Sequence, residues 1–100
     1  MTAYVVFIRE SPVHDPAEME KYRSMGRDNS QFVIKPLAVY GALEGIEGQA
    51  PDGCVVLEFP SVEEAKAWYY SPIYQAAAQH RMKAADYRGF IVEGFKPPGA

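Results

Sequence analysis

Cysteine is nearly missing from this chain: Cys54 is the only one in 100 residues, so no intrachain disulfide can staple the fold. Histidine is as scarce. His14 and His80 stand far apart in the chain, and with a single cysteine they do not make a zinc pattern. Basic residues are outnumbered, ten against thirteen acidic, for a net charge of −3. They are scattered rather than gathered on one element, which argues against a nucleic-acid partner. No apolar run reaches membrane-spanning length. The opening MTAYVVFIRE has no basic stretch ahead of its apolar run and no small-residue cleavage site. These absences predict a cytoplasmic protein with no membrane partner. Gly41, Gly45, Gly48 and Gly53 do not follow phosphate-loop spacing ahead of a helix. No nucleophile motif appears, and no cofactor is expected from any motif.

What the chain does have is apolar surface. Hydrophobic residues make up 48% and aromatic residues 13%, too rich for a disordered segment. The length suits one domain, read as residues 1–96, with 97–100 as a flexible C-terminal tail. A domain this small has a thin core, and self-association is the common outlet for the apolar excess.

Four short runs rich in β-branched and aromatic residues read as strands: Ala3 to Ile8, Leu37 to Leu43, Cys54 to Phe59 and Tyr87 to Glu93. Gly41 inside the second predicts a bulge or a close backbone approach. Asp15-Pro16 gives an N-cap with proline at the first helical position, and Met19, Tyr22 and Met25 form the predicted buried stripe. Gly26 and the polar Asp28-Asn29-Ser30 weaken this helix, and Phe32 and Val33 are candidates for its last buried turn. Ser61 with Glu64 three residues on is a capping box. Ser71-Pro72 is a second cap, so the helix that starts at Ser61 breaks and restarts there. Trp68 and Tyr69 are expected in the core, and Ile73, Ala77 and Ala84 continue the buried face.

The order βαββαβ favours an α+β, ferredoxin-like arrangement, an antiparallel sheet with both helical segments on one face. A sheet with one wet face should alternate apolar and polar residues. The segments VVFI, LAVY, CVVL and FIV are apolar on both sides. The economical cover for the bare face is a second copy, sheet against sheet, and a homodimer is therefore expected.

The succession FPS, EAKAWYYSP, YQAAAQHR, AADYR and IVEG resembles the domain of unknown function 1330 family. So do the opening AYVVFIRE, the Asp15-Pro16 helix start with Tyr22, and KPLAVYGALEGIEG. The resemblance spans nearly the whole chain and implies the dimeric α/β-barrel superfamily. Relatives there include cofactor-free monooxygenases, lactone isomerases, heme-degrading enzymes and stress-induced barrels; the family itself implies no established activity. Between Met25 and Gln31 this chain has GRDNSQ where the usual helix is alanine-rich.

Glu58 is the candidate catalytic residue. It interrupts VVL-E-F, and its neighbours Leu57 and Phe59 point to the opposite face, under the helices, so Glu58 points to the dimer side. It serves either as a general acid or base raised by desolvation, or as half of an ion pair with Arg9, Arg81 or Arg88. Arg81 either clamps a ligand carboxylate or bonds a carboxylate or carbonyl near its helix end. His80 is either a proton shuttle or a rim histidine. Tyr4, Tyr40 and Tyr74 complete the candidate ligand-binding set, with hydroxyls to offer a ligand oxygen. The expectation is a small-molecule binder taking an apolar or aromatic, in one form carboxylated, metabolite. Its cavity would lie between sheet and helices or at the dimer interface. One branch adds cofactor-free acid/base or oxygenase-type chemistry; the other is a non-catalytic dimerisation or ligand-sensing module.

Overall fold

The computed structural model describes residues 2–25 and 31–96. Its elements are β1 (Ala3–Arg9), α1 (Pro16–Met25), β2 (Lys35–Val39), β3 (Gly53–Phe59), α2 (Val62–Tyr69), α3 (Pro72–Ala84) and β4 (Tyr87–Glu93). The strands form one antiparallel sheet in the order β2-β3-β1-β4. This is the ferredoxin-like α+β arrangement expected from the element order, with the second helical segment split in two.

The breaks have local causes. Asp15 Oδ1 accepts from the Glu18 backbone N–H at 3.2 Å and starts α1, with Pro16 at the first helical position. Ser61 Oγ accepts from the Glu64 N–H at 3.1 Å to start α2. Ser71 Oγ donates to the Trp68 carbonyl at 2.7 Å, closing α2, and accepts from the Tyr74 N–H at 3.2 Å, opening α3. One serine therefore ends one helix and begins the next.

Strand alternation then decides what is buried. Ala3, Val5 and Phe7 of β1, with Val55 and Phe59 of β3, face the helices and are buried. They meet Ala65 and Trp68 of α2 and Tyr74 and Ala78 of α3. The Trp68 and Tyr74 ring centroids are 4.0 Å apart, and Phe59 lies 5.3 Å from Trp68. Ala77 and Ala78, both fully buried, let α3 approach closely. The other face carries Tyr4, Val6 and Ile8 on β1, Val56 and Glu58 on β3, and Phe90 and Val92 on β4. Phe90 is 48% and Val92 45% exposed, and among the described residues no helix covers this side.

The structure departs from the sequence reading in several places. The second strand is Lys35–Val39 rather than Leu37 to Leu43, because Tyr40 turns into the left-handed region at φ 52° and ends the pairing. The register shift falls between Pro36 and Ala38, not at Gly41, since a proline cannot donate to the ladder. Met25 is exposed, as are Ile73 and Val33, while Met19 is buried and Phe32 packs against the core. The readings on residues 26–30 and on the tail 97–100 lie outside the described residues.

Because Phe59 is fully buried between β1 and Trp68, Phe59→Ala is expected to cost about 3–5 kcal/mol. Ser61→Ala, which removes only a cap, is expected to cost about 1 kcal/mol. Urea midpoints at unchanged slope measure both. Equal losses would place the core elsewhere.

Candidate functional site

The inner stripe of α3 runs through Tyr74, Ala77, Ala78, Arg81 and Ala84, all buried. Four of these are apolar or aromatic and the fifth is a charge. Arg81 is only 3% exposed. Its guanidinium carbon stands 4.4 Å from the Phe7 ring centre, 4.8 Å from Tyr87 and 5.9 Å from Tyr22. Its charge also acts on the Tyr74 hydroxyl, offsetting part of the rise that burial gives that phenol. Among the described residues Arg81 Nε has no hydrogen-bond partner and no carboxylate pairs with the charge.

Two hydroxyl pairs surround this arginine. Tyr22 and Tyr74 share a hydrogen bond of 3.0 Å, and Tyr40 and Tyr87 one of 2.6 Å. Burial pushes the phenols of Tyr22, Tyr40 and Tyr74 up from their ordinary value; the neighbouring hydroxyl adds to the rise at Tyr22 and Tyr40. All three are therefore neutral donors at pH 7. A second arginine flanks the outer pair. Arg9 lies 5.5 Å from the Tyr40 ring centre, donates to the Asp52 carbonyl at 2.9 Å, and leaves its Nε unpartnered.

Two glycines make room for the rings. A Cβ at Gly53 would come within 2.9 Å of the Tyr40 ring, and one at Gly89 within 2.7 Å of Phe7. Beside Gly89, between the edge strand β4 and helices α2 and α3, lies a cavity of about 410 Å³. Val5 and Phe7 form its floor, Arg81 and Tyr87 its polar part, and Tyr69, Tyr70, Met82 and Phe90 line it towards the rim.

The sequence-predicted residues do not all meet here. Arg81 and Tyr74 do, and Tyr40 reaches the same side of the sheet through its bond to Tyr87. Glu58 and Tyr4 are register partners on the open face, with Lys35 on the far side of Glu58, all across the sheet from Arg81. His80 bonds Glu18 of α1 and is not among the walls of this cavity. That bond, with Lys21 nearby, holds Glu18 below the ordinary carboxylate value. His14 instead lies 3.9 Å from Asp86. Among the described residues no group of three metal-ligating side chains occurs, and no helix is long and apolar enough to cross a membrane. Phe7, Tyr22 and Tyr87 escaped the sequence reading as site residues. Strand parity with Val5 and Gly89, and the helical stripe through Met19, were the signals that mark them.

A family model described as Domain of unknown function (DUF1330) matches residues 2–95, and the chain belongs to that family. Among solved structures, a protein of unknown function from Rhodopseudomonas palustris is 23% identical with a TM-score of 0.60, over 96% of this chain and 84% of that one. A dimeric ferredoxin-like protein of unknown function from Bacteroides fragilis is 15% identical, TM-score 0.62, over 93% and 96% of the two chains. A mutant of SnoaB, a cofactor-independent oxygenase from Streptomyces nogalater, is 10% identical, TM-score 0.53, over 99% and 97%. These likenesses show the fold. No curated protein matches the chain.

The raised phenols fix the sign of an alkaline effect. The unfolded chain releases tyrosine protons near the ordinary value of 10.0 while the folded protein keeps them. Stability is therefore fully present below about pH 10 and falls as pH rises beyond it. Tyr22→Phe removes one such group, so urea midpoints between about pH 10 and 12 are expected to fall less steeply with pH. An unchanged slope would mean that the Tyr22 hydroxyl is not held from solvent.

Proposed function

We propose that this DUF1330 protein is a homodimeric small-molecule binder that takes an apolar or aromatic metabolite in the cavity beneath α2 and α3. The supporting observation is the cavity itself. Its volume of about 410 Å³ falls in the range of small-ligand sites, roughly 300–1,000 Å³. Its walls are mostly apolar and aromatic, with a few converging polar groups, which is the usual make-up of such sites.

The walls favour binding over acid/base turnover. They offer guanidinium and phenol donors, and among the described residues neither a carboxylate nor an imidazole lines them. Glu58 stands on the opposite face, so it serves a different space, the one a second copy would close. Half-buried there beside Tyr4 and Lys35, it carries the second reading: cofactor-free acid/base chemistry between two facing sheets. The cofactor-independent oxygenase of the same fold supports that reading only by analogy.

The dimer rests on the open face. Tyr4, Val6, Ile8, Val56, Phe90 and Val92 form an apolar surface that no element among the described residues covers. Covering even roughly 400 Å² of it is worth about 10 kcal/mol at ~25 cal/mol per Å². The relative from Bacteroides fragilis is itself dimeric.

Two measurements test these readings. Amide-shift mapping with neutral and acidic naphthalene derivatives is expected to perturb Tyr69, Gly89 and Ile91. Shifts confined to Tyr4 and Val56 would move the site to the open face. In sedimentation velocity a dimer is expected at micromolar protein, with Val6→Glu shifting it to monomer. A wild-type monomer at that concentration would end the dimer reading.

A further inference from the structure

We propose that the ligand of this cavity is an aromatic carboxylate, bound with its acid end inward on Arg81 and its ring outward at the rim. This rests on the cavity reading above and adds the charge and the orientation.

The argument begins with unbalanced charge. The cavity holds one buried cation, and among the described residues no anion faces it. Nearby acids are engaged elsewhere: Glu10 bonds Arg88 at 2.9 Å, and Glu18 bonds His80 and lies 3.6 Å from Lys21. Asp86 is exposed. Tyr22, Tyr40 and Tyr74 cannot supply the missing charge, because burial keeps their phenols protonated.

The donor inventory points the same way. Cation–ring contacts with Phe7 and Tyr87 use the charge of Arg81 but accept no hydrogen bond from Nε, which has no partner among the described residues. A buried charged donor left unmet is costly, and an anionic acceptor restores the balance. A planar carboxylate matches the in-plane N–H groups of a guanidinium better than a neutral carbonyl does. At the rim, Tyr69, the 69%-exposed Tyr70 and Met82 offer aromatic and thioether surface suited to a flat ring.

The test compares 2-naphthoate with 2-naphthamide, which match in size and differ in charge, by calorimetric titration of the wild-type protein. Naphthoate is expected to bind about tenfold tighter or more, and Arg81→Met to erase that preference while leaving amide-level binding. Equal wild-type affinities would overturn the carboxylate assignment and leave the cavity reading standing. No binding of either compound at millimolar concentration would overturn both. A preference that survives in Arg81→Met would place the charge recognition elsewhere and overturn the assignment to Arg81. Should that variant fail to fold, the Arg81 Nε–H resonance of the wild type decides. It is expected to shift with naphthoate and not with naphthamide, and an unmoved signal under saturating naphthoate would overturn the proposal.

Discussion

A β-strand turns successive side chains to opposite faces, and the central strand β1 carries apolar residues on both. Everything else in the structure follows from that constraint. Val5 and Phe7 build the core with Phe59, Trp68 and Tyr74, while Tyr4, Val6 and Ile8 are committed to the side the helices leave bare. The same parity separates the candidate chemistry into two spaces. Glu58 belongs to the open face with Tyr4, its register partner. Arg81 reaches the other face, above Phe7. A four-stranded sheet stands between them, and no side-chain motion short of unfolding joins them in one protomer.

Arg81 is costly to bury. Taking a guanidinium out of water without a counter-charge costs several kcal/mol. Three ring contacts recover about 0.5–2 kcal/mol each. These offsets are comparable to the penalty, which explains how the charge persists in an alanine-rich stripe. An apolar residue at position 81 would meet the packing need without the desolvation cost. The position therefore trades stability for charge, as binding sites commonly do.

Much of this was legible in the sequence, because the signals are local. The Asp15, Ser61 and Ser71 caps, the element order and the orientation of Glu58 all depend on spacing within a few residues. Arg81 was half legible. Seven positions after Tyr74 it must share that residue's face, yet its place late in the helix equally fits a role at the helix end, and only tertiary packing separates the two. Tyr40 was misread as a strand residue for a different reason. Its positive φ takes it off the pleat, and its ring lies against Gly53 on the helix side. Nothing in the local pattern announces a left-handed tyrosine. His80 pairs with Glu18 across α1 and α3, a contact between residues too far apart in the chain for spacing to reveal.

The two arginine–ring contacts share one construction. Phe7 is the register partner of Gly89, and Arg9 that of Gly53. At each place a ring lies over the glycine of a neighbouring strand and a guanidinium stands over the ring: Phe7 under Arg81, and Tyr40 under Arg9. A glycine inside a strand weakens it, and an aromatic ring laid across the bare backbone is the known compensation. Here the compensating ring has a second task, since its π-face holds a cation that pairs with no carboxylate among the described residues. A Cβ at Gly89 would sit 2.7 Å from the Phe7 ring, so lifting that ring would lift the guanidinium with it. The backbone of β4 therefore sets the depth at which the charge of Arg81 is held, and with it the depth of the cavity's polar end.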